Sequence, residues 1–165
     1  MKVLFVALLL ATAAAQEPSG FWTGPVNDPV PATIQGGKVI HTQQLNELLQ
    51  NSKPLVIDVS DSPRRPENFP ATSTWLPKPH PGIPGAIWIP GAGLAAPPAD
   101  VEQRYKQQLG SDRSRLIVVY CHEKCWLSWN GAKRAIQYGY TNVYWYPDGI
   151  EGWRKAKLPT EVLKP

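Results

Sequence analysis

The chain has 165 residues, 42% hydrophobic and 18% charged, enough to bury one core, which excludes a disordered chain, a collagen-like repeat and a coiled coil. Its formal charge of +4 is scattered over Arg64-Arg65, Lys133-Arg134 and Arg154 to Lys157, so nucleic acid is not expected as a partner. Two cysteines are too few for a disulfide framework or a four-thiolate zinc site, so thiol chemistry rests on Cys121 and Cys125, together or singly.

Residues 1–15 carry one Lys, an apolar run from Val3 to Ala11, and Ala13-Ala14-Ala15 before Gln16. That is the pattern of a secretory signal peptide cleaved after Ala15, and the run is too short to span a bilayer, so no membrane association is expected after cleavage. Residues 16–38 read as an extended N-terminal segment with anchor points at Phe21-Trp22 and Val26. From Thr42 the stretch TQQLNELLQNS spaces Leu45, Leu48 and Leu49 as a short helix, and Leu55 to Val59 is an apolar strand closing on the acidic Asp58. Residues 61–82 form a Pro-rich loop insertion with Pro63, Pro66, Pro70, Pro77, Pro79 and Pro81. Such a loop serves as a lid or partner surface, or is an inert decoration.

Ile83 to Pro90 reads as a short apolar strand, Ala99 to Leu109 as a helix stopped by Gly110, and Leu116 to Tyr120 as the clearest buried strand. Ser128 is placed to cap a helix that carries Trp129, Ala132, Ala135 and Ile136 on one face and ends at Gly139. Val143 to Tyr146 is a further strand, Pro147-Asp148-Gly149 a turn, and Ile150 to Ala156 the last helix. Strands alternating with helices imply parallel βα units. The fold expected is a single α/β domain with a central, mainly parallel sheet flanked by helices on both faces.

In open α/β sheets chemistry collects at the carboxyl ends of the strands, and Cys121 stands there, below the N-terminus of the next helix. That position is expected to lower its pKa, and Lys124 adds to the effect. Successive loop amides around one sulfur also suit a persulfide or an oxyanion. Cys125 lies four residues on, and a pair in one tight loop can bridge if the Cα atoms come within roughly 7 Å. Cys125 is then a resolving thiol, or else an apolar filler beside Trp126. His122 is a base, an orienter, or merely solvated. His41, His80 and His122 show no spacing that converges them, so neither a metal nor another cofactor is expected.

The sequence resembles the rhodanese-like superfamily across Thr42 to Leu158, on LVIDVS, IPGAIWIP, VVYC, GYTNVYW and DGIEGW. More narrowly, YCHEKCWLSWNGAKRAIQYGYTNVYWYPDGIEGW resembles the exported CXXCW motif proteins associated with PQQ-dependent catabolism. The resemblance implies a rhodanese-like domain over residues 39–165 and a sulfurtransferase that forms a persulfide on Cys121. It implies an active-site loop of His122, Glu123, Lys124, Trp126, Leu127 and Ser128, with Asp58 and Trp153 as structural residues near the site. It implies a periplasmic location, a small sulfur donor such as thiosulfate or a persulfide, and a quinoprotein dehydrogenase or its cytochrome as partner. The sequence departs from the family at Ser60, where many members have Arg, at Gly82, where His is common, and at Asp148, where Gly is usual. Lys124 is the sole cation between Cys121 and Ser128, which disfavours the phosphatase chemistry of related folds. Two alternatives to sulfur transfer are thiol-disulfide chemistry through Cys121 and Cys125, and an accessory protein binding through Trp75, Trp88, Trp126 and Trp129.

Overall fold

The computed structural model describes residues 15–165; the secretory segment read in residues 1–15 lies, but for Ala15, outside them. Five strands form one sheet in the order β1 (Lys38–Val39), β6 (Val143–Tyr146), β5 (Ile117–Tyr120), β2 (Leu55–Asp58) and β4 (Ile87–Trp88), every neighbouring pair parallel. The middle strands are buried on both faces, which is why LVID and IVVY read as unbroken apolar runs. Alternate side chains serve opposite layers. Ile57, Ile117 and Val119 pack with Tyr105 and Leu109 of α2 (Ala99–Leu109) and Trp126, Trp129 and Ala135 of α3 (Trp126–Gln137). Val56, Val118 and Tyr120 pack instead with Leu45 of α1 (Thr42–Asn51) and with Ile150 and Trp153 of α4 (Gly149–Lys155). The result is the expected α/β architecture, with helices on both faces of a parallel sheet.

Three expectations are corrected. The apolar run Ile83 to Pro90 is not one strand: Pro84 and Gly85 turn it, with Gly85 at φ 77° and the Ala86 N–H donating to the Ile83 carbonyl at 3.0 Å, and only Ile87–Trp88 pairs with β2. The end of the Pro-rich loop does pair, as β3 (His80–Gly82) antiparallel to β7 (Glu161–Leu163), a two-stranded sheet that local pattern does not announce. The third concerns α3, which begins at Trp126 with Cys125 as its N-cap and not at a Ser128 cap. Ser128 turns inward at the third helical position, where its hydroxyl donates to the Cys125 carbonyl (2.9 Å) and accepts from Trp145 Nε1 (3.0 Å). A buried indole N–H left without that acceptor costs about 1–3 kcal/mol, enough to hold the side chain inward. Trp88, Trp126 and Trp129 are buried, so the aromatic docking surface of the accessory reading loses three of its four members.

Candidate active site

Cys121 follows the last residue of β5, the central strand, and Cys125 closes the loop at the first turn of α3. Both are free thiols and both are buried, at 0% and 3% exposure. The loop between them is tied on its outer side to the turn that opens α4. The Ile150 N–H donates to the Cys121 carbonyl (3.0 Å), and the Lys124 N–H to the Pro147 carbonyl (3.1 Å). Glu151 grips the loop twice: Oε1 lies 2.8 Å from His122 Nδ1, and Oε2 accepts the Glu123 N–H at 2.8 Å. Lys124 holds a left-handed backbone at φ 53°, which lets so short a loop reverse.

The two sulfurs divide the local field unequally. Burial pushes the Cys121 thiol well above its ordinary range, and its hydrogen bond to the Cys125 sulfur pushes it further; the Ser128 side chain and N–H oppose this and lose. Cys121 Sγ also faces the carbonyl oxygens of His122 and Cys125, at 3.8 and 3.7 Å. Cys125 is drawn down to about 7, first because the Cys121 S–H donates to it, then by the N–H groups of Leu127 and His122 and by the His122 charge, against the cost of burial. Of the pair, Cys125 is the thiol that gives up its proton first, while Cys121 stays protonated beside it. The helix N-terminus lowers a thiol pKa as the sequence suggests, but the thiol is Cys125 and not Cys121. Spacing along the chain does not say which sulfur the amides face, and that decides the outcome.

The remaining predicted residues fall into two groups. His122, Glu123 and Lys124 are exposed on the loop's outer side, while Trp126, Leu127 and Ser128 are buried beneath it. Asp58 is buried at the end of β2, where Oδ1 accepts the Ser60 N–H (2.8 Å) and Oδ2 lies 2.9 Å from His80 Nε2. The His80 ring stacks on Trp88 at 3.9 Å. Asp58 thus fastens β3 to the main sheet. Trp153 is buried in α4 with its N–H on the Pro159 carbonyl at 2.7 Å, fixing the C-terminal tail. His41, His80 and His122 go to three separate carboxylates, Asp148, Asp58 and Glu151, and among the described residues no three His, Cys, Asp or Glu side chains converge on a metal position.

Sequence reasoning missed two features. Glu151 is one, although it sits inside the DGIEGW motif. The other is the use made of the N-terminal segment, which lies along α3 as a strap. Trp22 stacks on Trp126 with ring centroids 4.3 Å apart, exchanges two main-chain hydrogen bonds with Asn130 (2.8 and 3.0 Å), and the Val26 carbonyl accepts the Trp126 N–H at 3.0 Å. The anchor points at Phe21-Trp22 and Val26 are visible in the sequence, but their target is not. Between strap and helix lies a cavity of about 250 Å³ lined by Trp22, Val26, Leu94, Trp126, Leu127 and Asn130. Trp22→Ala removes the stack, about 1.5 kcal/mol, so local opening of the strap and alkylation of Cys125 are expected to rise roughly tenfold, measured as the rate of iodoacetamide capture.

A parallel α/β sheet thus carries two buried free thiols in the loop at the carboxyl end of its central strand. The sequence model of the rhodanese-like domain matches residues 41–156, and the chain belongs to that family. Among solved structures the fold is similar to the 30 kDa polysulfide-sulfur transferase homodimer from Wolinella succinogenes, at 18% identity and a TM-score of 0.50, covering 76% of this chain and 79% of that one. It is also similar to an uncharacterized protein from Saccharomyces cerevisiae, at 19% identity and a TM-score of 0.42, covering 74% and 97%. No curated protein matches the sequence.

Proposed function

We propose that the protein is an exported sulfurtransferase that carries sulfane sulfur as a persulfide on its cysteine loop. The observation that carries this reading is the loop itself: two buried free thiols, Cys121 and Cys125, at the carboxyl end of the central strand with Cys125 as the N-cap of α3, and the lowered pKa of the Cys125 thiol supports attack from that sulfur. Family membership supports it, and so does the shared fold with a polysulfide-sulfur transferase. With thiosulfate as donor, the Cys125 thiolate attacks the outer sulfur, a Cys125 S–S bond forms, and the donor S–S bond breaks with its electron pair leaving on sulfite. The new persulfide anion inherits the negative charge that the amides of Leu127 and His122 already favour at Cys125. An acceptor thiolate then takes the outer sulfur and returns Cys125 as thiolate. The resemblance implies a persulfide on Cys121; the lowered pKa of the Cys125 thiol supports a first attack by Cys125 instead.

Export is supported by the pattern of residues 1–15, and service to a periplasmic quinoprotein dehydrogenase system by the YCHEKCW stretch. A second reading is favoured by the contact between the two thiols. The Cys121 sulfur, its proton lost to solvent, attacks the Cys125 sulfur of the persulfide; a Cys121–Cys125 disulfide forms and hydrosulfide leaves with the electron pair of the broken S–S bond. Intact mass after treatment with thiosulfate tests both. A gain of one sulfur atom supports transfer, loss of two hydrogens supports disulfide formation, and no change under either donor or reductant removes both.

A further inference from the structure

The cysteine loop has a charged neighbour that neither its composition nor its motif assigns a task. Glu151 projects from α4 and uses both carboxylate oxygens on the loop, one on the His122 ring at 2.8 Å and one on the Glu123 N–H at 2.8 Å. The carboxylate thereby orients an imidazole carried by the same short loop as the two thiols. We propose that Glu151 is a positioning residue that fixes the His122 ring and the Glu123 N–H of the cysteine loop, and through His122 governs the reactivity of Cys125.

Several groups face His122. Partial burial works against its cation, but the Glu151 hydrogen bond and charge, the Cys125 thiolate and the Asp58 carboxylate outweigh it, and the imidazole pKa is raised. Glu123 and Lys124 follow His122 in the loop, their own side chains 3.8 Å apart and largely exposed, so their charges offset one another. Lys155 of α4 lines the same cavity of about 450 Å³ as Glu123, Asp148 and Glu151. On the Glu151 side, burial raises the carboxyl pKa while His122 and the Glu123 N–H lower it, with a net fall. His122 in turn lowers Cys125 through both its charge and its backbone N–H.

The sign of the effect separates this role from a direct one. A carboxylate acting straight on a sulfur by Coulomb repulsion raises the thiol pKa, so removing it would lower the midpoint of thiolate formation. Acting through His122 it does the reverse. Gln at 151 keeps one oxygen for the Glu123 N–H, and its Nε2 amide can donate to the Nδ1 of a neutral His122, so both contacts can be kept while the charge is lost.

The experiment is the pH profile of Cys125 alkylation by iodoacetamide, read by peptide mass on the full chain, for wild type, Glu151→Gln, His122→Asn and the double variant. Glu151→Gln is expected to move the midpoint up by about one pH unit, a roughly tenfold loss of rate below it, with His122→Asn giving a similar shift and the double variant no further rise. An unchanged midpoint in Glu151→Gln, a downward shift, or a full further rise in the double variant overturns the proposal. If Glu151→Gln fails to fold, His122→Asn alone decides through the same midpoint. The inference rests on the cysteine loop being the reactive site, but alkylation needs no sulfur donor. A failure of sulfur loading and a failure of the Glu151 shift are therefore distinguishable.

Discussion

Gly149→Ala is expected to destabilise the domain by about 3 kcal/mol, roughly a 6–12 °C fall in Tm for a chain of this size. Two effects add. Gly149 holds φ 60°, a left-handed backbone that favours glycine, and a Cβ there would stand 2.3 Å from the His122 carbonyl carbon and 2.4 Å from the Glu123 nitrogen. Those are backbone atoms of the cysteine loop and cannot swing aside as a side chain tip would. Either α4 moves or the loop does, and the Ile150, Pro147 and Glu151 hydrogen bonds that tie them together stretch in both cases. Gly139→Ala is the control: φ is 88° there but nothing lies within 4 Å of the added carbon, so only the conformational cost remains, about 1 kcal/mol. Thermal unfolding of the two variants measures the clash by difference. Equal losses would show that the loop and α4 are not packed as described.

The second large effect concerns reactivity. In wild type, Cys125 is expected to be alkylated with a midpoint at about pH 7, where half of it is thiolate, the rate falling about tenfold per unit of pH below that and levelling above it. Cys121 is expected to stay unmodified while the protein is folded, since burial and the Cys125 charge both hold it protonated. Cys125→Ser then removes the fast reaction at neutral pH altogether, a loss of more than about tenfold against the rate of a thiol with the usual midpoint near 8.5. Site-resolved alkylation across pH 5 to 10 measures this. A Cys125 midpoint at or above the ordinary thiol range contradicts the charge assignment.

How much of this is visible in the sequence follows from the range over which each feature is decided. LVID and IVVY are strands on local grounds, since a β-branched run bounded by a Pro or a charged turn has no better use than a doubly covered strand. The helix over Ala99 to Leu109, with Gly110 at φ 76° after it, is equally local. The position of the cysteine loop follows from the order of the elements, since a parallel sheet puts the carboxyl end of its central strand against the next helix.

What escapes is set by contacts far apart in the chain. His80 finds Asp58 across 22 positions and β3 finds β7 at the other end of the domain, with nothing in HPG or EVL to announce the pairing. Trp22 meets Asn130 across 108 positions. Ser128 is the instructive error: as a hydroxyl before WNGAKRA it reads as a cap, yet the buried Trp145 indole needs an acceptor and takes it. The same three-dimensional bookkeeping decides the cysteines. Counting residues puts both thiols beside the helix N-terminus, but the full burial of Cys121, its interaction with Cys125 and the amides of Leu127 and His122 decide which sulfur loses its proton first.

The central claim is that sulfur enters this loop on Cys125. Intact mass of the full chain after brief exposure to thiosulfate, for Cys121→Ser and Cys125→Ser side by side, tests it most directly. Cys121→Ser is expected to gain one sulfur atom and Cys125→Ser to gain none; sulfur gained by Cys125→Ser and refused by Cys121→Ser would contradict the account and return the first attack to Cys121.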